Sequence, residues 1–257
     1  MKNIEMVART MVEGTLTGLH RSPYHGFSSE FSEYRKYCPG DAVKHVDWVA
    51  YAKTDRYYVK QYEDETNTRT YVVVDQSASM GLGSAKTHKF HYACYLAAAF
   101  IYLMQRQKDA VGLFTYADKI RSYYPAQGSR QHMLEEIPRR SIVIIFSDFF
   151  DMNAQFISSL RHFQHKSCEV ILFQVLDPVE TEFPFRGLIE FRDLETGESI
   201  EVESEDCREA YLEDLNRYIR DMKQLCGRMN ISFETLSTGT AFDRALLAYF
   251  HKRERMF

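Results

Sequence analysis

The chain has 257 residues, 45% of them hydrophobic and 26% charged, with 12 Gly and 6 Pro; these proportions exclude a disordered, collagenous or mucin-like chain. At this length folding buries roughly three quarters of the unfolded surface, so neither disulfides nor a metal are needed to hold a core. Thirty-two Lys and Arg against 36 Asp and Glu give a net charge of −4, which argues against a general nucleic-acid or anionic-membrane binder.

Residues 1–20 read as a helix and contain no apolar run of the secretory-signal kind. Residues 21–69 are aromatic and charged, broken by turn signals at Ser22-Pro23, Pro39-Gly40-Asp41 and Thr54-Asp55, and predict short strands and loops. From residue 70 strands and helices alternate. TYVVVD (70–75) is a continuous β-branched run, as in a strand buried on both faces. Residues 86–107 predict a helix that is apolar on nearly every side and therefore buried.

AVGLFTYA (110–117) and IRSYYP (120–125), joined by Asp118-Lys119, predict antiparallel neighbours. SIVIIFSD (141–148) is a second buried strand, a helix follows at 152–166, and CEVILFQVLD (168–177) is a third. LIEFRDLETGESIEVES (188–204) reads as a hairpin around Thr196-Gly197. The helix at 205–229 carries a stripe of Tyr211, Leu215, Tyr218, Met222, Leu225 and Met229 at alternating four- and three-residue spacing. ISFETL (231–236) and a helix from Thr240 complete the pattern.

This alternation predicts an α/β fold: a doubly wound, mostly parallel, Rossmann-like sheet with helices on both faces. It has a β-rich N-terminal extension over 1–69, a main domain over 70–257 and an inserted hairpin at about 185–204. Five widely spaced cysteines (Cys38, Cys94, Cys168, Cys207, Cys226) with no CxxC pair predict reduced thiols and a cytoplasmic chain. The most apolar stretch, 92–104, falls short of the roughly 20 residues of a membrane span.

Directly after the first buried strand stands Asp75-Gln76-Ser77-Ala78-Ser79-Met80. A carboxylate and two hydroxyls at i, i+2 and i+4 on a strand-to-helix loop can converge on one point, and such hard oxygen ligands suit Mg²⁺ or Mn²⁺. The strand 141–148 ends in Ser147-Asp148. In an open α/β sheet, ligands bind outside the carboxyl ends of the strands where strand order reverses. If the two strands flank that point, Asp75, Ser77 and Ser79 hold the ion directly and Asp148 holds it directly or through water. A coordination position is then left for a partner's carboxylate. Gln76, Met80 and Phe149 are the expected partner contacts. Asp or Ser after a strand can also do no more than cap the following helix.

VVVDQSASM resembles the metal-ion-dependent adhesion site of von Willebrand factor type A domains, and AVGLFTYA and IVIIFSDFFD look like further strands of that domain. Upstream, GFSSEFSEYRKYCPGDAVKHVDWVAYAKTDRYYVKQYEDE is similar to the signature of the bacterial "domain of unknown function 58" family, as are LDPVETEFPFRGLIEFRDLETGE and STGTAFDRALLAYFHKR. The resemblance covers about residues 20–252. It implies a von Willebrand factor A-like domain without established enzymatic activity. It also implies a role beside MoxR-type AAA+ ATPases in assembling or activating other proteins. Asp75, Ser77 and Ser79 match the metal loop, and Asp148 the acid after the fourth strand. The complete adhesion site also takes a threonine from a loop between the third and fourth strands. Only residues 126–140 stand there, too few for the two helices of roughly 13 residues each that would reach that loop and return. The site is expected to be incomplete at this point, or a loop between about 131 and 139 to be missing; Ser129 is a poor substitute.

Other candidates point to structure. His88 with His91, and His162 with His165, could each meet on a helix face but have no third ligand nearby. Asp41, His45, Asp47 and Trp48 fit a structural turn, with Asp47 in local hydrogen bonds and Trp48 packed on the core. Glu63, Asp64 and Glu65 read as a solvated edge. The expected function is a non-enzymatic, divalent-metal-dependent protein-interaction module. A metal-dependent phosphohydrolase is the alternative, which a third acid in the crevice would favour. A scaffold with a vestigial metal loop is the other.

Overall fold

The apolar runs read from the sequence become strands of one central sheet. In the computed structural model the described residues are 28–38, 46–65, 69–84, 87–106, 109–117, 120–124, 137–150, 154–192 and 197–254. The helix expected over 1–20, the turns at 22–23 and 39–41, Lys44, His45 and Ser129 lie outside them. The chain divides into two compact units, one within 21–68 and one containing 69–257.

In the smaller unit, β1 (Ser28–Lys36) pairs antiparallel with β2 (Tyr58–Glu65), with an irregularity between Phe31 and Glu33. Helix α1 (Trp48–Thr54) lies between them in sequence. Asp47 starts it: its Oδ1 accepts from the Ala50 N–H at 3.0 Å, satisfying one of the amides that a helix start leaves open. Trp48, expected on the core, is 56% exposed and meets Tyr51 edge-on. Among the described residues of this unit Val46 and Val59 are buried, and they pair across an isolated bridge.

The larger unit holds a six-stranded sheet in the order β10-β7-β6-β3-β4-β5. Its strands are β3 (Arg69–Asp75), β4 (Ala110–Tyr116), β5 (Ile120–Tyr124), β6 (Ile142–Ser147), β7 (Glu169–Leu176) and β10 (Ser232–Ser237). All neighbours run parallel except β4 and β5, which are antiparallel as their short connection predicts. Side chains alternate between faces. Val72, Val74, Ile144, Phe146, Ile171 and Phe173 pack under α2 (Lys89–Arg106) and α6 (Phe242–Glu254). Val73, Val143, Ile145, Val170 and Leu172 pack under α3 (Ala154–His165) and α5 (Ser204–Arg228). Both faces are buried, so these strands read as unbroken apolar runs. The fold is α/β, with a mostly parallel sheet covered on both sides.

The helices follow from the same pattern. α2 buries Tyr92, Ala93, Leu96, Ala97, Ala99, Phe100 and Leu103, which explains its nearly continuous apolar sequence. On α5 the expected stripe faces inward: Leu215, Met222 and Met229 are buried, and Tyr211, Tyr218 and Leu225 half-buried. The inserted hairpin is β8 (Leu188–Arg192) with β9 (Ser199–Glu203), an antiparallel pair apart from the main sheet.

The topology gives the physical reason for the short connection after β5. Because β5 runs against β4, it ends at the same end of the sheet where β6 begins. A connection there has only three strand spacings to cross, about 14 Å. Residues 125–136, on which the expected missing loop and the threonine position fall, lie outside the described part of the chain.

Candidate functional site

Strand order reverses between β3 and β6. From β3 the chain moves outward to β4 and β5, then returns to β6 on the other side of β3. Asp75 ends β3, and Ser147-Asp148 ends β6, so the two segments flank the position where a doubly wound sheet opens a crevice.

Asp75 is buried. Its Oδ1 accepts from the Ser77 N–H at 2.8 Å, the local turn that an Asp forms with the amide two residues on. Its Oδ2 accepts from Ser147 Oγ at 2.5 Å and from the Tyr116 hydroxyl at 3.3 Å. Ser77 stands at the start of a single 3₁₀ turn, Ala78–Gly81, and its hydroxyl is hydrogen-bonded to the Ser79 hydroxyl at 3.0 Å. The structure therefore brings Asp75, Ser77 and Ser79 together on one turn and adds Ser147 from β6.

These donors can be tested against a divalent cation. The Ser77 and Ser79 hydroxyls are hydrogen-bonded to each other at 3.0 Å, a separation that neighbouring oxygens around an octahedral Mg²⁺, each at about 2.1 Å, also have. A carboxylate and two hydroxyls form a hard donor set that fits Mg²⁺ or Mn²⁺. Among the described residues no group of three or more His, Cys, Asp or Glu could hold a metal, so any such site rests on hydroxyls.

Asp148 has a different setting from the one expected. Its Oδ2 accepts from Lys89 Nζ at 2.8 Å, and the same ammonium donates to Glu180 Oε1 at 2.7 Å. Lys89 is 1% exposed, and both acids are buried. Asp148 Oδ1 accepts from the Phe150 N–H at 3.4 Å, while the Asp148 carbonyl accepts from Gln174 Nε2 at 3.1 Å. Glu180 belongs to a capping box at α4 (Pro178–Glu182), where its Oε2 accepts from the Asp177 N–H at 2.7 Å. Burial pushes the Glu180 carboxyl above its ordinary range, with Lys89 pulling the other way.

Asp177, just past the end of β7, is a third acid at the carboxyl ends of adjacent strands. It accepts from the Ser84 N–H and hydroxyl, from Val179 N–H at 3.0 Å and from Thr238 Oγ1 at 2.7 Å. Burial raises its pKa, but these hydrogen bonds outweigh that and hold the carboxyl below the usual range. Each of its carboxylate oxygens accepts two hydrogen bonds.

Two expected partner contacts are corrected. Met80 is fully buried in the core under α2, and Phe149 is buried against Phe156 and Phe233. Phe149 has φ of 59°, and its carbonyl accepts from the Tyr218 hydroxyl. It turns inward, and Phe150 is the exposed ring at 44%. Lys89 Nζ lies 5.4 Å from that ring's centre. Gln76 is half-buried. The His88 and His91 rings stand 5.9 Å apart.

Lys89 and Glu180 were legible in principle. Lys89 stands at i, i+4 and i+7 with Ala93 and Leu96 on an apolar helix, a position where a lysine must find an acid. Asp177-Pro178-Val179-Glu180 has the spacing of a capping box.

The family model described as "Protein of unknown function DUF58" matches residues 33–138 and 134–218. An uncharacterized protein of Mycobacterium bovis, Mb1516, is 29% identical over 225 residues, covering 77% of this chain and 70% of its own length. Among solved structures, the conserved hypothetical protein BatB from Bacteroides thetaiotaomicron is 12% identical, with a TM-score of 0.40 over 73% of this chain and 99% of its own. An aerotolerance-related membrane protein from Bacteroides fragilis is 13% identical, with a TM-score of 0.42 over 72% of this chain and 99% of its own. The expected cytoplasmic location is withdrawn; the similar Bacteroides fragilis protein is described as a membrane protein. Among the described residues no helix is long and apolar enough to cross a membrane.

Proposed function

We propose, from the premise that this chain belongs to the DUF58 family of proteins of unknown function, that it is a non-enzymatic protein-interaction module. In this reading its main domain is von Willebrand factor A-like, and its binding is assisted by a divalent cation at the carboxyl ends of β3 and β6. Asp75, Ser77 and Ser79 would hold Mg²⁺ or Mn²⁺. The cation would supply a concentrated positive charge for a partner's carboxylate, the largest local charge in such a site. The observation that carries this reading is the pair of hydroxyls 3.0 Å apart beside the buried Asp75, at the point where strand order reverses. A MoxR-type AAA+ ATPase is the partner class proposed for it. The phosphohydrolase alternative has less support, because a two-metal site needs several free carboxylates. Asp148 and Glu180 are paired with Lys89, and Asp177 is fully hydrogen-bonded.

Thermal unfolding with and without Mg²⁺ tests the cation. A site with a dissociation constant of about 1 mM gains about 1.4 kcal/mol at 10 mM ligand, or roughly 3–5 °C in Tm for a chain of this size. The wild type is expected to show this shift and Asp75→Asn to lack it. Melting of the wild type that is the same with and without Mg²⁺ would sink the cation, leaving the scaffold reading. A MoxR-type ATPase retained by the wild type in Mg²⁺, but not in chelator and not by Asp75→Asn, is the expected result for the partner.

A further inference from the structure

Among the described residues, Lys89 is the cation paired with the acids that follow β6 and β7. It sits in the first turn of α2, 1% exposed, with its ammonium 2.8 Å from Asp148 and 2.7 Å from Glu180. The three charged groups leave one excess negative charge. Removing a buried cation from such a pair is strongly unfavourable, so the pairing persists unless another cation replaces it. Asp75, by contrast, is hydrogen-bonded among the described residues to neutral groups: the Ser77 amide, Ser147 and Tyr116.

We infer that Lys89 is a built-in counter-ion that withholds Asp148 from the crevice cation, so that the cation is held by Asp75, Ser77 and Ser79 without the second acid. The inference rests on the cation reading above for the place of the ion. The masking of Asp148 by Lys89 stands independently of it. A site with one carboxylate binds more weakly than one with two, because affinity in oxygen-ligand sites follows the number of charged ligands. Lys89 thereby sets a low affinity, and freeing Asp148 raises it.

The test is Mn²⁺ binding, read from the free-ion electron paramagnetic resonance signal, with thermal unfolding of every variant. Asp148→Asn is expected to bind within about twofold of wild type, whereas Asp75→Asn loses at least tenfold. Two double variants separate masking from net charge. Lys89→Met with Glu180→Gln leaves Asp148 as the only charge of the triad. Lys89→Met with Asp148→Asn leaves Glu180, at the same total charge. The first is expected to bind Mn²⁺ at least tenfold more tightly than the second.

Equal affinity of the two, or a loss in Asp148→Asn as large as in Asp75→Asn, overturns the inference. Absence of Mn²⁺ binding in the wild type defeats the cation reading alone, and the double variants still decide the masking. A measurement on the unmodified protein guards against variants that do not fold. Reductive methylation followed by mass spectrometry is expected to leave Lys89 untouched while the exposed Lys223 reacts. Methylation of both at the same rate overturns the buried pairing.

Discussion

Phe149 and Phe150 are adjacent in sequence and opposite in environment, and backbone geometry separates them. A bulky residue at φ of 59° is sterically costly, about 1–3 kcal/mol. Here it is held by the Tyr218 hydroxyl on its carbonyl and by Ser147 Oγ, which accepts its N–H at 3.0 Å. The strain turns one ring into the core and leaves the other exposed, with Lys89 Nζ 5.4 Å from its centre. Burial decides thiol chemistry in the same way. It pushes Cys94 and Cys226 up to about 11, so at pH 8 only about one thiol in a thousand is ionised. Alkylation at that pH is therefore expected to modify the exposed Cys38 first and to leave Cys94 and Cys226 unmodified until the protein unfolds. Early labelling of Cys226, read by peptide mass spectrometry, would contradict the packing of α5.

At the scale of elements, α2 does two jobs with one helix. Its apolar residues anchor one face of the sheet: Phe100 meets Phe146, Phe173 and Tyr249 at ring-centre distances of 6.1, 5.4 and 5.8 Å. Its first turn delivers Lys89 to Asp148, just past β6, and to Glu180 in the first turn of α4. Phe100→Ala removes a fully packed ring and is expected to cost about 3–5 kcal/mol in denaturant unfolding, the range for a large aromatic in a core. A loss below about 1 kcal/mol would mean that α2 is loosely seated. The hairpin β8–β9 has a different character. Two strands alone are marginal in water, and Leu188 and Ile200 on it are 68% and 62% exposed.

Across the larger unit, the polar seams at the carboxyl ends of β3, β6 and β7 join segments that no local rule connects. Asp177 ties β7 to Ser84 before α2 and to Thr238 after β10. Its carboxyl is held below the unfolded value of about 3.9. A depressed folded pKa gives stability that is complete above the unfolded value and lost as pH falls through the folded one. The wild type is therefore expected to lose Tm between about pH 5 and pH 3 more steeply than Asp177→Ala. At pH 7 the variant is expected to be less stable by about 1–3 kcal/mol, since Ser84, Val179 and Thr238 lose their acceptor. Parallel pH profiles of the two proteins would show that Asp177 carries no such linkage.

The sequence by itself determined the alternation of strands and helices, the antiparallel β4–β5 pair, the hairpin and the placing of Asp75, Ser77 and Ser79 on one turn. All of these are short-range: side-chain alternation along a strand, a helical stripe, and a turn closed by an aspartate two residues from its partner. Only the tertiary structure decided which acids remain available. Asp148 meets Lys89 across 59 positions of sequence, and Glu180 meets it across 91. The strand order decided that β6 starts three strand spacings from the end of β5. The backbone turn at Phe149 decided which phenylalanine is exposed. Charge pairing in a low-dielectric interior depends on distances of a few ångströms between remote segments, and those distances exist only once the sheet has been ordered and both its faces covered.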